Sequence, residues 1–243
     1  MKIRLITNEF AKMRRRHIGF VSLILTLSVV GMSLMGAASG GADTLTWQAL
    51  LAGTSLAFPM TCPLLISVIA SRTVDMEHEG NGWLLGQSSG IGTGQLCRAK
   101  MIAATLVVAL TTTTASALLV AVGTLLGSGP LPVELWLGHT FAILSINIVI
   151  LGTQLLLSAR VENQLAALCL SVVGTIIAAV SSGLPKWLAA LTPWGYYSLA
   201  AAADYRDTGL VTLTPAYGPI AALTITATIA FIALTNRLES QEA

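Results

Sequence analysis

Six long apolar runs constrain this chain more than any other feature of its sequence. They are Ile18–Ala37, Leu50–Ser71, Met101–Leu126, Trp136–Ser158, Leu165–Ser182 and Ala216–Thr235. A bilayer core of about 30 Å is crossed by roughly 20 apolar residues in a helix. In lipid each backbone N–H and C=O must be satisfied within the protein, so each run reads as a helix. The predicted fold class is all-α, a polytopic membrane protein with six transmembrane helices. Composition agrees: only 10% of the 243 residues are charged, against about 25% in a soluble domain. That excludes a soluble enzyme domain and a disordered chain. The net charge of +2 argues against nucleic acid as a partner.

Charge placement orients the spans. Lys2, Arg4, Lys12, Arg14, Arg15 and Arg16 precede the first run, with Glu9 the lone acid among them. Arg72, Arg98 and Lys100 follow the second run, Arg160 the fourth and Arg237 the sixth. With a cytoplasmic N-terminus these eleven basic residues all fall inside, and only Lys186 and Arg206 fall outside. An even number of spans returns the C-terminus to the cytoplasm. A cleaved signal peptide over residues 1–40 is the rival reading, but the apolar run exceeds the usual 7–15 residues of such a leader. Cys62 and Cys169 lie in apolar runs and Cys97 in the charged loop, so no disulfide is expected.

Within residues 1–17, Ile3, Ile6, Phe10 and Met13 make one apolar stripe among basic residues, the pattern of a helix lying in the lipid interface. Pro59 and Pro63 stand one turn apart in the second span; each removes a backbone donor, so a kink or hinge is expected there. The fourth span carries Thr140, Asn147 and Gln154 at heptad spacing, with Ser158 one turn on. Such a stripe either pairs across a helix interface or lines a wet path. Threonines 111–114 and 224, 226 and 228 read as hydroxyls bonded back to their own helices. No ionisable residue sits mid-span, which weighs against an ion-coupled carrier.

Residues 72–100 are the largest internal loop. Asp75, Glu77 and Glu79 crowd together ahead of Gly80-Asn81-Gly82-Trp83-Leu84-Leu85. Gly90-Ile91-Gly92-Thr93-Gly94 is not a dinucleotide cradle, because Gln95 stands where a third glycine is needed and no strand precedes it. The acids with His78 do not make a metal site, because Glu77 and Glu79 diverge on a helix. No phosphate-binding loop and no nucleophile–base pair stands out elsewhere, so no catalytic residue, cofactor site or metal site is assigned. The external loop 183–215 holds Trp187, Trp194, Tyr196, Tyr197 and Asp204-Tyr205-Arg206-Asp207, read as an aromatic belt with a short interfacial helix.

This arrangement resembles the permease subunits of ABC-2 type exporters: a basic interfacial helix, six spans, and a charged loop with acid–Gly–Trp–Leu-Leu before a basic entry to span three. Glu77, Glu79, Gly80, Gly82, Trp83, Leu84, Leu85, Arg98 and Lys100 carry the likeness. The wording Glu-x-Glu-Gly-Asn-Gly-Trp-Leu-Leu is most similar to the small permeases of lantibiotic-immunity transporters. One place departs from the pattern: Gly86-Gln87-Ser88-Ser89-Gly90 stands where a proline commonly follows the Leu-Leu pair.

The resemblance implies a single transmembrane domain over residues 1–243 with a cytoplasmic coupling helix between spans two and three. Asp75, Glu77, Glu79, Gly82, Trp83 and Leu84 are then the candidate docking residues for a separate cytoplasmic ATPase dimer that binds ATP and Mg. A second permease chain, identical or a sister, is implied beside it, in a bacterial cytoplasmic membrane. The cargo implied is an antimicrobial peptide expelled from the membrane lipid. The alternatives are a small drug, a lipid-linked molecule or an ion as cargo, or a carrier that needs no ATPase.

Overall fold

The computed structural model describes residues 3–39, 45–126, 128–206 and 209–240; Lys2 and Asp207 lie outside the described residues. Helix α1, Ile3–Arg15, turns at His17 (φ 56°) into α2, Ile18–Ser39. There follow α3 (Trp47–Glu79), α4 (Gly82–Ser88), α5 (Thr93–Leu125), α6 (Val133–Arg160) and α7 (Gln164–Val180). After α7 come α8 (Lys186–Ala189), α9 (Tyr196–Ala200), a hairpin of β1 (Ala203–Arg206) and β2 (Gly209–Thr212), and α10 (Tyr217–Ser240). Among the described residues, α2, α3, α5, α6, α7 and α10 are long and apolar enough to cross a membrane.

Helices α3 and α5 each have 33 residues, which is roughly 50 Å at 1.5 Å per residue. That exceeds the hydrocarbon core by about 20 Å. Both are therefore longer than a bilayer crossing needs, and the loop between them is shorter than its sequence suggested. Residues 72–79 continue α3, and 93–100 already belong to α5. Only α4 and two short turns remain between them. The Thr46 hydroxyl caps α3 by accepting from the Ala49 N–H at 3.2 Å. The helix is continuous through Pro59 and Pro63. It packs most closely on α2, where a Cβ at Gly53 would strike the Ser33 carbonyl.

One end of the bundle gathers charge. There α1, the C-terminal turns of α3, the N-terminus of α5 and the end of α10 are joined by ion pairs. The other end gathers aromatic rings. Trp47 and Trp136 meet edge to face at 5.6 Å, and the Trp136 indole donates to the Ser116 hydroxyl at 2.7 Å. The hydrophobic core runs between these ends along α2, α3, α5 and α6.

The segment after α7 only partly matches an aromatic belt. Trp187 is 69% exposed, but Trp194 and Tyr197 are buried. Helix α9 sinks into the bundle: the Tyr197 hydroxyl donates to Asn147 Oδ1 at 2.6 Å, and His139 Nδ1 donates to the Ala200 carbonyl at 2.8 Å. Asn147 lies midway along α6, about 21 Å from its start. Short, irregular backbone at that depth is tolerated because protein, not lipid, surrounds it. The hairpin, antiparallel with Asp204 opposite Val211, then leads out to α10.

Candidate functional site

The charged end is built from α1, the end of α3, the start of α5 and the end of α10. Successive helical residues rotate by about 100°, so Asp75 and Glu79 share one face of α3 and Glu77 takes the opposite one. The structure follows that geometry. Arg16 pairs with Glu79 and lies 3.7 Å from Asp75 on the outer face. Glu77 turns inward and is 3% exposed.

Glu77 meets a buried cluster. Lys100 Nζ donates to Glu77 Oε1 at 2.8 Å, to Glu9 Oε2 at 2.7 Å and to the Thr73 carbonyl at 2.8 Å. Lys12 Nζ donates to Glu77 Oε1 at 2.7 Å and to Glu9 Oε1 at 2.9 Å. Lys100 is 0% exposed and Glu9 1%. Two carboxylates and two ammonium groups therefore cancel in charge, and the Lys100 ammonium finds three acceptors. That satisfaction is what makes burial of the charges tolerable. Burial of Lys12 opposes its charge, but hydrogen bonds to Glu77 and Glu9 prevail and raise its pKa above the usual 10.5. Its contribution is thus intact below that value and is lost only as pH rises through the higher one.

This cluster corrects two expectations. Glu77 is not offered to a docking partner, because Lys12 and Lys100 hold it inside. The buried face of α1 includes Glu9 with Met13, while Phe10 is 37% exposed. A sequence signal for Glu9 existed. It is the only acid among six basic residues, and it borders the apolar stripe at the spacing Ile6, Glu9, Met13. Lys100 gave no such signal, because it reads as one more basic residue at a span entrance.

The other residues of the expected docking segment, Gly82, Trp83 and Leu84, lie on α4. Gly82 opens it directly over Glu77, and a Cβ there would overlap the Glu77 carboxylate. Trp83 is half-buried and meets the His78 ring edge to face at 5.9 Å; His78 Nε2 donates to the Ser158 carbonyl of α6 at 2.9 Å. Leu84 and Leu85 are left 63% and 64% exposed. Helix α4 stops at Ser88 without a proline. The Gly90 N–H bonds the Gln87 carbonyl and the Ile91 N–H the Gly86 carbonyl, both at 2.9 Å. Gly90, at φ +72°, supplies the left-handed residue that this cap requires. At the entry to α5, Arg98 donates to Glu239 at 2.7 Å and to Asn236 at 2.8 Å, tying α5 to α10.

The polar stripe of α6 lies inside the chain. Thr140 bonds Ser116 of α5 at 2.8 Å. Asn147, 0% exposed, donates to Thr112 at 3.1 Å and accepts from Tyr197. Gln154 is equally buried, and among the described residues neither end of its amide has a hydrogen-bond partner. Two of the three positions therefore serve helix pairing within this chain. Thr111, Thr113, Thr224, Thr226 and Thr228 bond back to their own helices as the sequence suggests, while Thr112 accepts from Asn147. Pro59 and Pro63 are buried against the rest of the bundle.

The described residues include no cluster of three or more His, Cys, Asp or Glu arranged to hold a metal ion. The charged end thus presents an exposed apolar pair on a short helix, with a buried cluster of charge behind it. Comparison with known proteins bears on this. No curated protein matches the chain. The family described as ABC-2 family transporter protein matches residues 5–178, which takes in α1 to α6 and most of α7. The chain belongs to the ABC-2 transporter family, as a transmembrane permease subunit of an ABC transporter whose ATPase activity lies in a separate chain.

Proposed function

We infer that this permease works in an exporter that expels an antimicrobial peptide of the lantibiotic class from the membrane, conferring self-immunity. The single observation that carries the coupling part is the exposed pair Leu84 and Leu85 on α4. An apolar pair at the tip of two helices that outrun the bilayer suits a groove on a cytoplasmic ATPase, where a few desolvated side chains dominate binding. Glu79 adds a peripheral charge, and Trp83 braces the helix from its inner side. ATP and Mg bind the ATPase dimer, whose closure moves α4 and, through Glu77, the cluster that joins α1, α3 and α5. Pro59 and Pro63 are the proposed flexing point of α3.

The peptide cargo is supported by the wording of residues 77–85, which resembles lantibiotic-immunity permeases. The charge bias supports a cytoplasmic position for both termini and for α4. A second permease, identical or a sister, completes the transporter in a bacterial cytoplasmic membrane.

The test is co-purification with the ATPase from membranes, together with lantibiotic resistance in living cells. Leu84→Asp with Leu85→Asp should abolish both while the purified permease keeps its thermal stability. Unchanged ATPase recovery would remove α4 as the docking element. Intact recovery with resistance only to unrelated drugs would remove the peptide cargo.

A further inference from the structure

The end opposite the ion cluster holds a cavity of about 620 Å³. It lies between α2, the first half of α3, the end of α7 and the segment that follows. The space exists because its walls carry small residues, among them Gly36, Ala52, Gly53, Ala178 and Ala179. Protein interiors otherwise close-pack with few voids larger than a water, and ligand pockets run from about 300 to 1,000 Å³.

Its lining says what would fit. Leu56 and Leu184 line it and stay 49% and 37% exposed, so apolar surface is left bare there. Lys186 lines it too, and among the described residues its ammonium has no carboxylate within ion-pair distance. Pro59 has no N–H, so the carbonyl of Ser55, one turn earlier in the same wall, loses its helical donor. The Ser55 hydroxyl itself is engaged, donating to the Leu51 carbonyl at 2.8 Å and accepting from the Ala202 N–H at 3.3 Å. Asp204 adds a carboxylate from the hairpin side. The hairpin is pinned over the cavity by Gln48, which donates to the Thr212 hydroxyl at 2.9 Å, and by Tyr205, which donates to the Gly36 carbonyl at 3.4 Å.

We propose that this cavity binds the head of a membrane amphiphile that carries an anionic group beside a hydrogen-bond donor. The anion meets Lys186, the donor meets the Ser55 carbonyl and Asp204, and the apolar stem lies along Leu56 and Leu184. A phospholipid head, with phosphate beside a hydroxyl or amine, presents that chemistry. So does a peptide C-terminus, with carboxylate beside an amide N–H. The site deepens the exporter reading by giving it a place for an amphiphile at the end away from the ATPase, and binding itself needs no ATPase.

The test uses the full chain in phosphatidylcholine nanodiscs. One arm adds photoreactive phosphatidylglycerol; a second adds a photoreactive amphipathic peptide with a free C-terminal carboxylate, beside its amide form. Adducts are mapped by mass spectrometry. Saturable labelling of residues 52–60 and 178–186 is expected. Lys186→Glu, at an exposed position, should cut it at least fivefold, and Ala179→Trp should fill the space and cut it further. Labelling by phosphatidylglycerol alone identifies a lipid head. Labelling by the free-carboxylate peptide but not its amide identifies a peptide terminus, and labelling by both confirms the shared chemistry. Labelling equal in wild type and both variants, or equal with a photoreactive diacylglycerol, would overturn the site. Loss of ATPase recovery from wild-type membranes would count against the exporter reading alone, because these adducts form without it.

Discussion

Lys100 is the residue on which the charged end turns, since it touches Glu9, Glu77 and the Thr73 carbonyl at once. Lys100→Met would leave two buried carboxylates with only the half-exposed Lys12 between them. Removing one partner of a buried ion pair costs about 3–5 kcal/mol, so a fall in thermal midpoint in detergent is expected. Glu9→Gln should cost less in the Lys100→Met background than in the wild type, and a double-mutant cycle reads the coupling directly. If the two changes simply add, the pair is not the contact described. The α6 stripe gives a sharper contrast at this scale. Asn147→Leu removes partners for Thr112 and Tyr197 and should destabilise by roughly 1–2 kcal/mol. Gln154→Leu removes a buried amide with no partner among the described residues and should be neutral or stabilising. Equal loss at both positions would contradict this assignment. Their heptad spacing was legible in the sequence, but their different fates were not, because each depends on which helix happens to lie opposite.

At the scale of elements, α4 shows how far local rules reach. Its glycine stop, its exposed Leu-Leu pair and the divergence of Glu77 from Asp75 and Glu79 all follow from helix geometry within a few residues. Its seat on Glu77 does not, since that depends on Lys12 and Lys100 from two other helices. Gly82→Val should therefore lift α4 from its seat. The expected result is at least a tenfold loss of ATPase recovery with the bundle still folded, measured by pull-down and thermal unfolding side by side. Gly90→Val should fray the end of α4, because φ +72° is a conformation that a β-branched residue rarely adopts. Its effect on ATPase recovery should be smaller, since Leu84 and Leu85 lie nearer the first turn.

At the scale of the whole molecule, the prediction concerns sidedness. In a background with Cys169 replaced, Gln87→Cys and Thr212→Cys place single exposed thiols at opposite ends, while Cys62 and Cys97 are buried. A membrane-impermeant maleimide added to intact cells should modify position 212 at once and position 87 only after permeabilisation. The reverse pattern would invert the topology and move α4 away from any cytoplasmic ATPase.

The number of spans and the class of the fold can be read from the chain alone, because partition into lipid depends on the length and polarity of each run and on little else. The chain also carries a strong charge bias between loops, and the helix phase of every polar side chain. Which of those side chains meet depends on the packing of the helices. Glu9 and Lys100 are 91 residues apart, and Asn147 and Tyr197 are 50 apart. In a bundle whose surface is apolar, few polar partners are available, and which ones come together is set by how the helices pack. That packing buried Glu77, drew Tyr197 down to mid-span, and left Leu84 and Leu85 exposed.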